Sequence, residues 1–239
     1  MGALYVVSTP IGNLEDITIR AVKTLFSVDI IACEDTRRTG LLLSELKKRY
    51  TGIFEHSSQK TTPQFLRFDD RTEHQQTPQL IKLLKEGQSV ALVSDAGTPL
   101  ISDPGYVLVS EAQKRGIKVV SVPGSSAVLA ALASSGLPAD KFTFLGYPPE
   151  KKSHRIKLFK HLLQINRLIS STHVLYCAPH KLLTTLKELK ETVGDVEIAV
   201  CRELTKTYEE CWIGRISEAL DHFIKAKGEF VLLIRIGEN

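Results

Sequence analysis

SVALVSDAGTPLISDPG, residues 89–105, decides the fold. The apolar run at residues 89–94 reads as a strand buried on both faces. A long polar loop with two glycines follows. Asp103-Pro104 is expected to cap a helix that Gly116 ends, and residues 117–122 read as the next strand. Strand, loop, helix, strand is the repeating piece of a parallel sheet, and such sheets bind ligands at the carboxyl ends of their strands. The same cadence extends upstream. Residues 4–8 and 29–33 read as strands, Asp16 is expected to cap a helix running through Phe26, and residues 36–48 form another helix. Thr77-Pro78 is expected to begin the next, with proline in its first turn. After Pro123-Gly124 the spacing predicts a helix over 125–135, strands at 142–145, 174–177 and 197–201, a long basic helix between the first two of these strands, and a helix over 179–191. Two last strands, 208–213 and 230–236, flank one short helix, which predicts antiparallel pairing near the end. The expectation is therefore a two-domain α/β protein, with a mainly parallel sheet in residues 1–122 and a mixed sheet in 123–239.

With 239 residues, 43% of them hydrophobic, the chain can bury a substantial core, which excludes a disordered or fibrous protein. Lys plus Arg outnumber Asp plus Glu by 31 to 27, a balance that permits a nucleic-acid partner without requiring one. Cys33, Cys177, Cys201 and Cys211 show no C-x-x-C spacing, and the histidines form no H-E-x-x-H, so neither a metal nor a dithiol redox site is expected. No apolar stretch approaches the roughly 20 residues that span a bilayer, and no basic-then-apolar leader opens the chain. A cytoplasmic protein is the expectation.

Four stretches combine strand ends with chemistry. TPIGN, residues 9–13, places Gly12 where backbone amides can approach a ligand. The loop of residues 94–105 contains neither G-x-G-x-x-G nor G-x-x-x-x-G-K-[ST], which argues against a dinucleotide or a nucleoside triphosphate. Within it Asp103 reads as a helix cap, whereas Asp95, at the strand end before Ala96-Gly97, has no evident structural task. VPGSSA, residues 122–127, offers two hydroxyls and the amides of a helix start, although Ser125 could simply cap its helix. ACEDTRRT, residues 32–39, crowds Glu34, Asp35, Arg37 and Arg38 behind a buried strand; a carboxylate answering the helix dipole with solvated arginines is the structural alternative.

In the second half, Lys151, Lys152, Arg155, Lys157, Lys160 and Arg167 share a segment whose only carboxylate is Glu150. On a helical wheel Ile156, Phe159, Leu162 and Leu163 form the buried stripe, and Lys157, Lys160, His161 and Gln164 the opposite face. That face is either solvated or a contact surface for phosphate backbone. His180 and the run RELTK, residues 202–206, close two further strands. No G-x-S-x-G elbow is present, so acyl transfer is disfavoured.

TPIGNLEDIT, ACEDTRRT, LVSDAGTPLISDPG, VPGSSA, SGLP, FLGYPP, APHK and RELTK occur in this order. Together they resemble the small-subunit ribosomal RNA ribose 2′-O-methyltransferase I group of the tetrapyrrole methylase superfamily, over almost the whole chain. The resemblance implies a bilobed fold with S-adenosylmethionine between the domains, and a homodimer. It implies that Pro10, Asp95, Gly97, Thr98, Leu100, Ile101, Ser125, Ser126 and Ala127 line the cofactor, joined by Tyr176 and Leu204 at strand ends of the second domain. Members commonly read Tyr-Glu-Ser/Ala-Pro-His-Arg where this chain has Tyr176, Cys177, Ala178, Pro179, His180 and Lys181.

The implied reaction is 2′-O-methylation of a cytidine ribose in small-subunit (16S) ribosomal RNA, with the assembled subunit as partner and no membrane. A ribose hydroxyl is a poor nucleophile, so a base and nearby cations are needed. Glu34 or Asp35 is the expected base, with Arg37 and Lys206 as electrostatic partners. Two other readings stay open: a superfamily enzyme that methylates a tetrapyrrole carbon or a translation-factor side chain, and a non-catalytic RNA-binding module.

Overall fold

The computed structural model describes residues 1–54 and 63–237. The chain divides into two compact units, Met1–Ser126 and Ala127–Asn239, each with its own five-stranded sheet.

In the first unit the strands are β1 (Ala3–Val7), β2 (Ile30–Cys33), β3 (Gln64–Arg67), β4 (Val90–Val93) and β5 (Lys118–Val122), in the order β3-β2-β4-β1-β5. Every pairing is parallel. The connections carry α1 (Ile19–Leu25), α2 (Thr36–Arg49), α3 (Thr51–Phe54), α4 (Glu73–Lys85) and α5 (Tyr106–Lys114). Helices cover both faces, which is why β2 and β4 are written as the unbroken apolar runs IIAC and VALV. On one face Val7, Ile31 and Val93 pack with Ala21, Val22 and Leu25 of α1 and with Leu43 and Leu46 of α2. On the other, Leu4, Ala32 and Leu92 pack with Leu80 and Leu84 of α4 and with Leu108 and Ala112 of α5. Each fully buried leucine contributes about 1.5–3 kcal/mol from removal of apolar surface from water.

The second unit runs α6 (Ala127–Ser134), β6 (Phe142–Phe144), α7 (Lys152–Leu168), β7 (Thr172–Cys177), a 3-10 turn (Pro179–Lys181), α8 (Leu182–Val193), β8 (Glu197–Arg202), β9 (Glu210–Arg215), α9 (Ile216–His222) and β10 (Phe230–Arg235). Its order is β6-β7-β10-β8-β9; only β6 and β7 are parallel, so the sheet is mixed as expected. Because β7 and β8 both run antiparallel to β10, the carboxyl ends of β6, β7 and β8 lie along one edge of this sheet. The core on one face joins Phe159 and Leu162 of α7, Leu186 and Leu189 of α8 and Ala219 of α9 to Leu175, Val200 and Leu232.

Three expectations are corrected. Asp16 does not cap α1: it lies in a 3-10 turn capped by Asn13, and the Thr18 hydroxyl accepts from Ala21 N at 3.1 Å to start the helix. The helix around Pro78 begins earlier, at Glu73, and holds the proline inside. A turn built on Asp69, whose Oδ1 accepts from the backbone N of Arg71 and Thr72, launches it before the proline is reached. Asp103 does not cap α5, whose N-cap is Gly105. Arg155, one of the basic residues of this segment, is buried and paired, whereas Lys157, Lys160, His161 and Gln164, the polar face of the helical wheel, are exposed. Strand β3 was not foreseen; as an edge strand it is mostly exposed and carries no apolar run.

Candidate active site

The loops that follow β1, β4 and β5, three adjacent strands of the first unit, are tied together at their carboxyl ends. Thr9 N donates to Gly97 O at 2.8 Å and Gly97 N to Thr9 O at 3.1 Å, a two-bond bridge between TPIGN and the loop after β4. The Thr9 hydroxyl donates to Ser94 O at 3.2 Å. Thr98 Oγ1 lies 2.9 Å from Ser8 Oγ and donates to Ser125 O at 3.1 Å, which brings in the PGSS turn. Pro10, Gly97, Thr98 and Ser125 are thereby brought together. Gly97 has φ +85°, and a Cβ there would sit 3.3 Å from Ile11 Cγ2. Both the backbone conformation and the space select glycine.

The left-handed backbone region is concentrated in two places. Among the described residues, the non-glycine residues with positive φ are Leu100 (74°) and Ser102 (65°) in the loop after β4, and Glu203 (49°) and Thr205 (66°) after β8. Each costs about 1–3 kcal/mol and persists only where its surroundings hold it, a pattern that marks ligand clamps. Ile101, between the first two, is 40% exposed, an apolar side chain offered to solvent at the sheet's edge.

What holds the far end of the loop after β4 is Glu73, in the first turn of α4. Its buried carboxylate accepts from Gly105 N at 2.9 Å and Val107 N at 3.0 Å, supplying the cap that Asp103 was expected to give. Sequence patterns could not show this partner, 32 residues away from Gly105.

The end of β2 adds an acidic neighbourhood. Glu34 Oε1 accepts from Asp95 N at 3.2 Å. Burial, reinforced by the charge of Asp103, raises the Glu34 carboxyl to about 7, with the Asp95 amide pulling the other way. Asp103 itself is raised to about 6 by burial, which outweighs hydrogen bonding from Ser94 and is aided by Asp70 and Asp95. Asp35 is different in kind: it caps α2, accepting from Arg37 N at 2.8 Å and Arg38 N at 3.3 Å, bonds that hold its carboxyl low. Arg38, rather than Arg37, reaches Asp95, with Nη1 2.9 Å from Oδ2.

In the second unit the shared edge of β6, β7 and β8 carries aromatic and charged groups. The Tyr176 ring lies 4.9 Å from that of Phe144 and 5.4 Å from that of Tyr147. Leu204 is buried in the strained RELTK turn. Lys206 Nζ is 3.1 Å from Glu203 Oε1 and 2.9 Å from Glu229 Oε2. Burial opposes its charge, but these carboxylates overcome it and hold the ammonium above its usual range. The loop after β6 is fastened by Arg155, which forks onto Glu188 at 2.6 and 2.9 Å and donates to Pro149 O and Glu150 O at 2.8 and 3.0 Å. Lys181 reaches Glu150 at 2.9 Å. Among the described residues no three His, Cys, Asp or Glu side chains gather to hold a metal, and no helix is long and apolar enough to cross a membrane.

Residues 3–220 match the family described as Tetrapyrrole (Corrin/Porphyrin) Methylases. The chain belongs to the tetrapyrrole methylase family. It is 45% identical over 98% of its length to a Thermotoga maritima protein named ribosomal RNA small subunit methyltransferase I, of which it covers 98%. A Synechocystis protein of the same name is 46% identical over 98% of this chain and 79% of its own length. The fold is also that of a solved Thermus thermophilus uroporphyrin-III C-methyltransferase complexed with S-adenosyl homocysteine (TM-score 0.63, 16% identity, 98% of this chain and 97% of that one). A solved diphthine synthase is similar as well (TM-score 0.70, 15% identity, 98% and 90% covered).

Proposed function

We propose that this member of the tetrapyrrole methylase family uses S-adenosylmethionine to methylate the 2′ oxygen of a cytidine ribose in small-subunit ribosomal RNA. The observation that carries the reading is the near-full-length identity to proteins named ribosomal RNA small subunit methyltransferase I. The local geometry supports it. The knitted edge of the first unit presents backbone groups and hydroxyls beside the carboxylates of Glu34, Asp95 and Asp103, a surface suited to a cationic nucleoside and unsuited to a pyrophosphate. We assign cofactor binding to Pro10, Asp95, Gly97, Thr98, Leu100, Ile101, Ser125, Ser126 and Ala127, and to Tyr176 and Leu204 of the second unit.

When bound, S-adenosylmethionine supplies an electrophilic methyl carbon on a sulfonium sulfur. The protein's task is to align the ribose oxygen with it and to remove a proton, and alignment alone can lower the barrier by about 7–11 kcal/mol. Glu34 is the better base: Oε1 is engaged by Asp95 N, which leaves Oε2 to take the proton, and its value near 7 suits neutral pH. Asp35, already spent on the cap of α2, is not suited to the role. We assign to Arg37, an exposed residue, the steadying of developing negative charge on the oxygen. Lys206 has two carboxylate partners and serves the same end only if RNA displaces one. The exposed Lys157 and Lys160 of α7 are the assigned contacts for phosphate backbone. A cytoplasmic location, a homodimer and assembled small subunits as substrate complete the proposal.

The test is incubation with methyl-labelled cofactor and small subunits that lack the modification. The expected product is a labelled ribose oxygen on one cytidine. Label on a tetrapyrrole or on a translation-factor side chain would move the chain to another branch of the family, and RNA affinity without transfer would make it a binding module.

A further inference from the structure

Cys201 and Cys211 stand directly opposite each other on the antiparallel strands β8 and β9, with their sulfurs 2.8 Å apart. All four cysteines are free thiols, and this pair alone among the described residues is in sulfur–sulfur contact. A disulfide needs its sulfurs at about 2.05 Å with Cβ atoms facing, which directly opposed strand positions can supply with a small adjustment. The two thiols differ in access. Cys201 is fully buried, with Sγ near Ala131 O of α6, whereas Cys211 is partly exposed. At Cys211 the Ser134 hydroxyl donates to Sγ at 3.7 Å and Ser134 O accepts from it at 3.4 Å.

We propose that Cys201 and Cys211 form a modification site, closing to a reversible cross-strand disulfide on exposure to peroxide-class oxidants and thereby locking the turn at residues 203–209. The accessible Cys211 thiolate attacks one peroxide oxygen: an S–O bond forms, the O–O bond breaks, and the departing hydroxide takes up a proton as water. Cys211 is then a sulfenic acid. The Cys201 sulfur displaces its hydroxyl, so an S–S bond forms, the S–O bond breaks, and the Cys201 proton leaves with hydroxide as a second water. Two thiols are oxidised by two electrons and one peroxide is reduced to two waters. Burial and the neighbouring sulfur hold the Cys201 thiol well above its ordinary range, so the second step should quicken as pH rises. The bond would close a short loop that carries Leu204, Lys206 and the left-handed residues Glu203 and Thr205. Cys33 and Cys177, both buried, serve as internal controls, and burial raises the Cys177 thiol to about 11.

The full chain, treated with one equivalent of hydrogen peroxide and then analysed by intact mass, should lose about 2 Da. Thiols titrated after unfolding in denaturant should fall from four to two. Peptide mapping should link Cys201 to Cys211, dithiothreitol should reverse the change, and amide exchange over residues 203–209 should slow in the oxidised form. Cys201→Ser and Cys211→Ser should each abolish the mass loss; the partly exposed Cys211 position serves if the buried variant fails to fold. Over-oxidation of Cys211 with Cys201 still free, linkage only between chains, four unchanged thiols, or unaltered exchange in the linked form would each overturn the proposal.

Discussion

The two carboxyl edges, one in each unit, are held by different forces. After β1, β4 and β5 the loops are joined by backbone bridges and hydroxyls, from Thr9 with Gly97 to Ser8 with Thr98 and Ser125. After β6, β7 and β8 the work falls to charge and aromatic contact: Arg155 with Glu188, Lys206 with Glu203 and Glu229, and Tyr176 with Phe144 and Tyr147. An edge knitted by backbone holds short polar loops in fixed register and tolerates little change in residue size. An edge knitted by ion pairs is exposed to the loss of any one partner, since a charge left alone in the interior is costly.

The largest effect expected from that difference is at Arg155. Arg155→Ala should destabilise the protein by about 3–5 kcal/mol in urea unfolding, because buried Glu188 loses its fork. Arg155→Met combined with Glu188→Leu should recover most of the loss; no recovery would mean that the carbonyls of Pro149 and Glu150 matter more than the charge. On the first edge, Glu34→Gln should lower methyl transfer by about 10²–10⁴-fold. As the proposed base, Glu34 would act as the carboxylate, so the wild-type rate should rise with pH toward a plateau above about 7 and the variant's should not. Stability runs the opposite way. A carboxyl raised in the folded state binds its proton more tightly there, so stability is lost as pH climbs from the ordinary value of 4.5 toward about 7. Glu34→Gln should accordingly raise the Tm at about pH 8 and lose that advantage near about pH 4.

Smaller effects sharpen the contrast. Glu73→Ala should cost about 1–3 kcal/mol, since Gly105 N and Val107 N lose their acceptor, and Glu73→Gln should restore part of it. Recovery to the same degree by Glu73→Leu would show that packing, not capping, was lost. Lys157→Glu with Lys160→Glu should weaken RNA binding and reduce the slope of affinity against salt by about 1–2, with cofactor affinity unchanged. An unaltered slope would return that face of α7 to plain solvation.

Legibility followed the same division. The parallel sheet could be read because strands buried on both faces must be written as unbroken apolar runs, and glycine and proline punctuate the loops between them. The exposed edge strand β3 left no such trace. Local patterns also misplaced three helix starts, at Asp16, Pro78 and Asp103, because the true caps depend on Thr18, on the Asp69 turn and on Glu73. Glu73 and Arg155 act on groups distant in sequence, or are buried where composition suggests a solvated charge, and no spacing rule reaches them. Glu34 and Asp35 were indistinguishable as neighbouring acids; which one is raised and which one caps α2 depends on side-chain surroundings.

The proposed seat of the cofactor at the knitted edge of the first unit is tested most directly by calorimetric titration of S-adenosyl homocysteine into the wild type and Asp95→Ala. The Asp95 side chain is engaged in a surface pair with Arg38, and its backbone amide, which bonds Glu34, survives the substitution, so Asp95→Ala should leave the fold intact. Affinity should fall by about tenfold or more, roughly 1.4 kcal/mol per factor of ten. Unchanged affinity in a folded Asp95→Ala protein would contradict the assignment.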